Sequence, residues 1–494
     1  MINLIQNATQ YLDRIAVKSE GNSSTYQQLL DFSESIALLL LNGKDDLNEE
    51  RIAFIVPASF NYTAIQWGIW RAGGIAVPLC VKHPFSSMAY VINDTKASVI
   101  ICSSQFENFL DPFKNKPGIR FLSEVAFSKK TGMLPDIAMN RRAMILYTSG
   151  TTGNPKGVVT THNNIETQVT ALTTSWEWDK DDHILNVLPL HHVHGIINVM
   201  SCALWSGACC EFLPKFNAAK IFEIFNRHEV NVFMAVPTIY YKLIACWKEL
   251  SAEQQQRISR SLNDFRLMVS GSAALPISVL EEWKNISGHT LLERYGMTEM
   301  GMAISNSYRE KRIPGHIGNP LNKVIVRIAD EQNVTVASGE QGEIQVKGPN
   351  VFKEYWGKPE ATAETFTKDG WFKTGDIAVY ENGYYRILGR NSVDIIKSGG
   401  YKISALEIEE VLRKHPKIKE CGVVGIPDDE WGEIIGASLI LSDDKIDLDA
   451  LNNWLKDKLP GYKTPRKYIF QDALPRNVMG KVTKKELTKL FLNL

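Results

Sequence analysis

Hydrophobic positions in the first 390 residues form short apolar runs, and the stretches between many of them repeat apolar side chains at helical spacing. Helical spacing is clearest at residues 26–41, 62–71 and 238–248. The apolar runs predict strands at residues 51–56, 75–79, 98–102, 144–147, 184–188, 230–236 and 266–270. Because strands that alternate with helices are typical of parallel sheets covered by helices, the pattern predicts an α/β fold.

The pattern changes in the last third of the chain. Predicted strands at residues 324–328, 342–347 and 383–388 follow one another with little helical pattern between them, which indicates a β-rich part. After Gly389 comes an α+β unit of about a hundred residues, large enough for its own core. Its predicted helices are residues 403–414 and 448–458, and its predicted strands are residues 421–425, 437–441 and 468–470. We therefore predict a boundary between residues 1–389 and 390–494.

Length, charge and cysteine content narrow the class of protein. A chain of 494 residues exceeds the roughly 250–300 residues that one core supports. Lysine plus arginine equals aspartate plus glutamate at 55 each, so only a local basic patch would favour nucleic acid. The start of the chain lacks a signal-peptide pattern, and the apolar run 36–41 is far shorter than the ~20 residues of a membrane span. Seven scattered cysteines without a Cys-x-x-Cys pair indicate free thiols, so we expect a cytoplasmic protein.

The most informative motif is residues 147–157, Tyr-Thr-Ser-Gly-Thr-Thr-Gly-Asn-Pro-Lys-Gly, directly after the apolar run 143–146. Glycines let backbone N–H groups approach an anion, the hydroxyls add donors, and Lys156 adds positive charge. The motif is not a Walker A loop, because Pro155-Lys156-Gly157 replaces the terminal Gly-Lys-Ser/Thr. The alternative is a flexible polar turn. The composition favours a loop that binds a nucleoside triphosphate.

Three further segments carry weaker signals. Tyr295-Gly296-Met297-Thr298-Glu299 follows a predicted strand end and combines a ring, a hydroxyl and a carboxylate that suits Mg²⁺. Asp376 stands in a predicted turn, where it would accept hydrogen bonds from ribose or simply stabilise the turn. Lys481 follows a glycine in a predicted loop, where an ordinary solvated lysine is the default interpretation.

Residues 188–195, Leu-Pro-Leu-His-His-Val-His-Gly, place three histidines within four positions. A zinc site is one interpretation, but neither a cysteine nor a carboxylate stands nearby in the sequence to complete the ligand set. Core or surface histidines are a second interpretation. We favour a pocket wall that carries one polar ring.

Taken together and in this order, these segments resemble the adenylate-forming superfamily of acyl-CoA synthetases, luciferases and peptide-synthetase adenylation domains, over roughly residues 10–490. The resemblance implies a large N-terminal region of two α/β subdomains plus a β subdomain, and a small mobile α+β C-terminal domain. It implies that a carboxylate attacks the α-phosphate of ATP, and that the thiol of CoA then attacks the adenylate and releases AMP. ATP and CoA would be substrates, with Mg²⁺ as cofactor and small molecules as partners.

The resemblance also assigns residues to the nucleotide. The loop for the β- and γ-phosphates would comprise Thr148, Ser149, Gly150, Thr151, Thr152, Gly153 and Lys156. The adenine cleft would comprise Gly271, Ser272, Ala273, Tyr295 and Gly296. Thr298 would contact the α-phosphate and Glu299 would bind Mg²⁺, whereas Asp376 and Arg390 would contact the ribose.

Other assignments concern the acid and CoA. His192 would lie beside the reacting carboxylate, and Lys481 would bridge that carboxylate and the α-phosphate. In the crossover segment, residues 389–402, the strand with Lys397, Gly399 and Gly400 would line the CoA channel after the C-terminal domain rotates. Ser392 stands where the superfamily usually has its hinge residue, and one extra residue precedes the glycines, so the hinge is left unassigned.

Arg294 carries the clue to the acid. A guanidinium that faces a closed pocket needs a partner, and a second carboxylate on the substrate would be a bidentate one. Pairing with a protein acid such as Glu293 is the alternative. Longer strings, including residues 231–240 and 267–276, resemble malonyl-CoA synthetases, so malonate or methylmalonate is the expected acid. A ligase for short-, medium- or long-chain monocarboxylates and a non-catalytic nucleotide-binding protein are the alternatives, and oligomeric state stays open.

Overall fold

The computed structural model describes residues 2–123, 131–148, 155–442, 446–476 and 481–493. Its largest sheet has parallel strands at the centre and antiparallel strands at both edges. In spatial order, its strands are Asn319–Pro320, Gly301–Ser305, Leu292–Met297, Leu267–Ser270, Val232–Ala235, His183–Asn186, Cys209–Phe212, Ile15–Ser19 and Asn22–Thr25. The central strands are buried along their whole length, as expected for a sheet covered on both faces.

A second sheet follows the same plan. In spatial order, its strands are Glu354–Tyr355, Lys156–Thr161, Arg142–Thr148, Ile75–Pro78, Arg51–Ile55, Val99–Cys102 and Arg120–Ser123. The strands from Arg142–Thr148 to Arg120–Ser123 are parallel, and Lys156–Thr161 returns antiparallel to Arg142–Thr148. The predicted phosphate motif, residues 147–157, begins in the first strand of this antiparallel pair and ends in the second.

Helices cover the sheets and fill the space between them. The helices of the N-terminal region are Asn3–Ala8, Tyr26–Leu41, Phe60–Arg71, Phe85–Asp94, Asp111–Lys114, His162–Ser175, Cys202–Trp205, Ala218–Phe225, Pro237–Lys248, Ala252–Leu262, Ile277–Ser287 and Pro359–Glu364, with a π-helical segment at His194–Ser201. Local chemistry determines several of their first residues. Thr25 caps the helix Tyr26–Leu41 in a capping box with Gln28, and Thr161 does the same with Asn164 for His162–Ser175.

The helix Phe60–Arg71 lies inside the core rather than on its surface, because nearly all its side chains are buried. Gly68 allows close contact with the helix Tyr26–Leu41, since a Cβ there would lie 2.5 Å from Ile36 Cγ2. The Tyr62 hydroxyl donates to the carbonyl of Leu190 at 2.6 Å. A rigid buried helix therefore holds the backbone of the histidine segment.

The β-rich part is an antiparallel sheet of the strands Ile325–Ala329, Gln341–Lys347, Phe372–Glu381 and Tyr384–Arg390. The C-terminal part has its own sheet and apolar core. Its strands are Ile395–Ser398, Tyr401–Ser404, Ile418–Asp428, Gly432–Leu441 and Lys467–Phe470, and its helices are Ala405–Leu412, Leu448–Lys456 and Lys484–Leu492. The α/β architecture with a large N-terminal region and a smaller C-terminal domain is confirmed.

Several predicted boundaries differ from the structure, and two of them show the physical cause. The helix predicted at residues 403–414 begins only at Ala405, because Ile403 and Ser404 belong to a strand that pairs with Ile395–Ser398. The strand predicted to end at Arg294 continues to Met297, because Gly301–Ser305 pairs with it. In both cases a neighbouring strand overrides the local preference of the sequence.

Candidate active site

The two ends of the phosphate motif lie in paired strands, where Thr148 and Lys156 are register partners. Ser149, Gly150, Thr151, Thr152 and Gly153 lie outside the described residues. The Lys156 ammonium lies 5.0 Å from the centre of the Tyr355 ring. This lysine therefore begins the strand Lys156–Thr161, beside an aromatic face that stabilises its charge.

Tyr355 connects Lys156 to Glu299. Its hydroxyl donates to Glu299 Oε1 at 2.9 Å, and the Glu299 carbonyl accepts from the Phe352 amide at 2.7 Å. Burial raises the pKa of Glu299, and the hydrogen bond from Tyr355 opposes that rise. Sequence reasoning missed Tyr355, because the short edge strand Glu354–Tyr355 carries no motif and reaches the site only through sheet pairing.

A second polar cluster surrounds Asp376. The Tyr295 hydroxyl donates to Asp376 Oδ2 at 2.6 Å, and Arg390 Nε lies 3.7 Å from Asp376 Oδ1. Arg390 also donates from Nη2 to the Thr374 carbonyl at 3.0 Å. Burial raises the pKa of Asp376, and the charge of Arg390 and the hydrogen bond from Tyr295 oppose it. The structure thus brings Tyr295, Asp376 and Arg390 together from three strands.

Arg294 is 3% exposed, and it lies against Gly271, where a Cβ would approach its guanidinium carbon to 2.6 Å. Its Nη2 donates to Ser272 Oγ at 3.2 Å, and that oxygen lies 3.3 Å from His194 Nδ1. Within the described chain, Arg294 Nε and Nη1 are buried without a hydrogen-bond partner. Burial lowers the pKa of Arg294 to about 9.

The alternative partner, Glu293, faces away from Arg294, as expected for consecutive strand residues. Its Oε1 accepts from the Gly315 amide at 3.0 Å. Burial raises the pKa of Glu293 to about 8, with the Gly315 amide opposing the rise and Glu410 adding to it. Glu293 therefore does not neutralise Arg294.

His194 begins the π-helical segment His194–Ser201, a geometry that is frequent at functional sites, and His191 and His192 lie just before it. His191, His192 and His194 each have a buried Nε2 without a hydrogen-bond partner among the described residues. Burial lowers the pKa of His192 to about 4, and the nearby charge of Lys481 lowers it further. Burial and the charge of Arg294 also hold the pKa of His194 well below its usual range. Neutral rings therefore line this wall.

Lys481 comes from the C-terminal domain and lies among the residues of the N-terminal site. Its side chain is solvent-exposed, and partial desolvation lowers its pKa, with the charges of Arg294 and Arg390 adding to that effect and Asp376 opposing it. The two domains also touch where the amide of Ile277 donates to Glu410 Oε1 at 2.9 Å. The charge of Lys481 therefore acts on His192, and the charge of Arg294 acts on Lys481.

The part of the crossover segment at residues 397–400 contacts the C-terminal domain rather than Arg294 and His192. Gly399 and Gly400 form an exposed turn with φ angles of +55° and +83°, and a Cβ on Gly399 would lie 2.8 Å from the Trp431 ring. The Lys397 amide donates to Glu433 Oε2 at 2.6 Å. These contacts join the predicted CoA residues to their own domain, and the structure does not bring them to the pocket of Lys481.

Three predicted site residues remain. They are neighbours in sequence of Arg294 and Ser272: Gly296, Thr298 and Ala273. Thr298 and Glu299 form the turn after the strand Leu292–Met297, and Gly296 faces the Gly301 carbonyl, where a Cβ would come within 2.1 Å. Ala273 follows Ser272, whose φ of +69° turns the backbone beside Arg294.

The described part of the chain contains no helix with the length and apolar character of a membrane span. All seven cysteines are free thiols.

Comparison with known proteins identifies the class. The AMP-binding enzyme family matches residues 4–356, and the AMP-binding enzyme C-terminal domain matches residues 407–481. The chain therefore belongs to the AMP-binding enzyme family, which confirms the resemblance to adenylate-forming enzymes.

Individual relatives narrow the comparison. Malonate–CoA ligase ACSF3, mitochondrial, from Homo sapiens is 44% identical over 525 residues, which cover 98% of this chain and 91% of that protein. Malonate–CoA ligase from Arabidopsis thaliana is 41% identical over 537 residues, which cover 98% of this chain and 88% of that protein. Among solved structures, ATP-bound MatB from Rhodopseudomonas palustris is 32% identical with a TM-score of 0.91, and the match covers 99% of both chains.

Proposed function

We propose that this enzyme is an ATP-dependent CoA ligase for a short dicarboxylic acid, malonate or methylmalonate. One carboxylate oxygen bonds to the α-phosphorus of ATP, the bond to the β-phosphate oxygen breaks, and pyrophosphate leaves. The sulfur of CoA then attacks the acyl carbon and releases AMP. The names of the relatives from Homo sapiens and Arabidopsis thaliana support malonate as the acid.

The observation that carries the proposal is the incomplete hydrogen bonding of buried Arg294. Two of its three nitrogens, Nε and Nη1, have no partner among the described residues. An unpaired buried guanidinium is costly, and a carboxylate that accepts from Nε or Nη1 together with the second N–H of Nη2 relieves part of that cost. A monocarboxylic acid would leave Arg294 unpaired in the filled pocket, so the pocket favours an acid with a second carboxylate.

The position of Lys481 supports a short acid. The positive charge of Arg294 lowers the pKa of Lys481. We assign Arg294 to the distal carboxylate and Lys481 to the reacting carboxylate. We propose that a short dicarboxylate such as malonate contacts both cations. His192 and His194 then form neutral walls beside it.

The nucleotide roles follow from the same arrangement. Lys156, with the loop that begins at Thr148, would bind the β- and γ-phosphates, and Thr298 would contact the α-phosphate. Asp376 and Arg390 would contact the ribose, and the Gly271–Ala273 turn with Tyr295 and Gly296 would border the adenine. Catalysis would consist mainly of positioning and charge neutralisation, because the carboxylate and the triphosphate repel each other.

Glu299 has the chemistry of a Mg²⁺ ligand. Its carboxylate is half-buried, accepts a hydrogen bond from neutral Tyr355, and has a pKa that desolvation raises. A hard divalent cation would favour the ionised form. When bound, Mg²⁺ would offset the charge of the triphosphate. Tyr355 orients the carboxylate, and Lys156 adds a second positive charge nearby.

We further propose that residues 390–494 move as a domain relative to residues 1–389 between the two half-reactions. Lys481 would leave the pocket, and Lys397, Gly399 and Gly400 would line the channel for CoA. The apolar core of the C-terminal part supports its movement as one body.

An ATP–pyrophosphate exchange assay with malonate, methylmalonate, acetate and octanoate tests the proposed substrate. We expect exchange with malonate, or with malonate and methylmalonate, at least about 100-fold faster than with acetate, because acetate lacks the second carboxylate. Faster exchange with acetate or octanoate would instead identify a monocarboxylate ligase. An AMP-release assay that shows no turnover with any acid and CoA would identify a non-catalytic protein.

A further inference from the structure

The structure brings together Cys80, His83 and His191, which are distant in the sequence. Cys80 follows the strand Ile75–Pro78 and His83 follows three residues later, whereas His191 belongs to the histidine segment. One ligand atom from each side chain lies within 4.8 Å of the other two. The sequence showed no cysteine near the histidines, and the fold supplies one.

The cluster is held in a form that suits a metal ion. Cys80 is 4% exposed, so its sulfur lies in the interior beside the two rings. His191 Nε2 is buried and has no hydrogen-bond partner among the described residues. The rings of His83 and His191 have centroids 5.6 Å apart. One sulfur and two imidazoles thus converge, and one ring nitrogen is free to bind a ligand.

We infer that Cys80, His83 and His191 form a binding site for Zn²⁺, with a water molecule as the fourth ligand. One thiolate and two imidazoles are a donor set that zinc prefers over Mg²⁺, which prefers oxygen. Tetrahedral Zn–S and Zn–N bonds place neighbouring ligand atoms about 3.5 Å apart. The three ligand atoms already lie within 4.8 Å of one another, so small side-chain rotations bring them to the spacing that zinc requires. On binding, the Cys80 thiol releases its proton to solvent, and no atom changes oxidation state.

The site is positioned to inhibit catalysis. The ring of His191 lies 4.0 Å from the ring of His192, measured between centroids. His192 lies within reach of the charge of Lys481, which lowers the pKa of its ring. A zinc ion that draws His191 towards Cys80 therefore shifts the wall of the acyl pocket. This inhibition rests on the proposed ligase function, whereas metal binding itself does not.

A second group of candidate ligands in the described chain, His183, Glu211 and Glu229, provides a contrast. Its carboxylates already have cationic partners: Lys18 Nζ lies 2.6 Å from Glu229 Oε2, and Arg227 Nη1 lies 3.4 Å from Glu211 Oε1. A metal ion would have to displace these cations. The group therefore supplies a matched control, because a substitution at His183 removes a histidine without affecting the proposed site.

Cobalt substitution tests metal binding without reference to activity. The full-length protein is treated with a chelator and titrated with Co²⁺ in the absence of nucleotide. We expect one equivalent to produce a thiolate-to-cobalt charge-transfer band that Zn²⁺ abolishes. The variants Cys80→Ser and His83→Gln should lose the band or weaken binding at least about 100-fold, since loss of an outer partner alone costs 10–100-fold. The controls Cys246→Ser and His183→Gln should keep it.

A wild-type protein without the band, or a band that survives in Cys80→Ser, would overturn the site. Circular dichroism of each variant checks folding, and His83→Gln affects a less buried position than Cys80→Ser.

The second readout is pyrophosphate exchange at saturating Mg²⁺. Micromolar Zn²⁺ should inhibit wild type about 10-fold or more and leave Cys80→Ser unaffected. A normal cobalt band without zinc inhibition would refute the inhibitory role. A band in a protein that fails to activate malonate would refute the proposed function and leave the metal site intact.

Discussion

Replacement of Arg294 by methionine should separate substrate recognition from folding. Methionine is unbranched and apolar and fills part of the same volume. The substitution removes one hydrogen bond, from Nη2 to Ser272 Oγ, and two buried nitrogens that have no partner in the described chain. In the ligand-free enzyme the lost contact is small, whereas in the complex with malonate both proposed carboxylate bonds disappear.

The effect on stability follows from the pKa of Arg294, which burial lowers from 12.5 to about 9. The difference corresponds to a free-energy cost on the order of 5 kcal/mol for the charged side chain in the folded state. The cost is complete below pH 9 and disappears as the pH rises from 9 towards 12.5. Replacing a buried charge by an apolar side chain typically recovers about 1–4 kcal/mol. We therefore expect a higher Tm for ligand-free Arg294→Met at neutral pH.

The effect on malonate has the opposite sign. Hydrogen bonds to charged groups contribute about 1.5–3 kcal/mol each, so two of them amount to about 3–6 kcal/mol. At 1.4 kcal/mol per factor of ten, kcat/KM for malonate should fall roughly 10²- to 10⁴-fold. The Kd for ATP should change less than about 3-fold, because the nucleotide contacts lie on other residues.

Pyrophosphate exchange, calorimetric titration of ATP and thermal melting measure these quantities. Glu293→Gln is the matched control, because it alters the neighbouring residue on the opposite face of the same strand and keeps an oxygen for the Gly315 amide. The reasoning fails if Arg294→Met uses malonate within 10-fold of wild type. It also fails if both variants lose the same activity together with Tm, since that result indicates general damage to the strand.

Further predictions concern the nucleotide and the lysine. Lys481→Ala should slow adenylate formation at least about 100-fold in single-turnover assays. It should leave thioester formation from preformed malonyl-adenylate nearly unchanged. Equal losses in the two half-reactions would contradict domain rotation. Because the pKa of Lys481 lies below its ordinary 10.5 and the charged form is needed, adenylation should decline on the alkaline side below pH 10.5. Lys481→Arg should move that decline upwards, and an unchanged profile would exclude this lysine as its cause. Tyr355→Phe should raise the KM for MgATP about 10-fold by removing the hydrogen bond to Glu299, and an unchanged KM would remove Tyr355 from the site. Asp376→Asn should raise the KM for ATP about 10-fold or more with little effect on that for malonate, and a selective effect on malonate would contradict its ribose role.

Short-range chemistry explains what could be predicted from the sequence. The helix predicted at residues 26–41 matches Tyr26–Leu41, because its capping box of Thr25 and Gln28 is a local feature. The apolar runs located the buried strands, since their composition alone requires burial. The order of the motifs, from the phosphate loop to Lys481, was sufficient to indicate the family, and the comparisons confirmed it.

Pairing between distant strands explains the errors in the boundaries. Residues 403–404 have a helical pattern but pair with Ile395–Ser398, and Gly296 continues a strand because Gly301–Ser305 lies beside it. Neither partner can be identified from the local pattern, because the hydrogen bonds of a sheet depend on which strands meet.

The sequence by itself determined the class of enzyme, the order of its parts and the candidate cation, Arg294. Only the tertiary structure decided that Arg294 lacks a protein carboxylate in the described chain, that Tyr355 contacts Glu299, and that Cys80 reaches His191. These contacts join residues that are far apart in the chain. The physical reason is that the charge and hydrogen bonding of a buried group depend on all its spatial neighbours, whereas a sequence motif records only the nearest residues along the backbone.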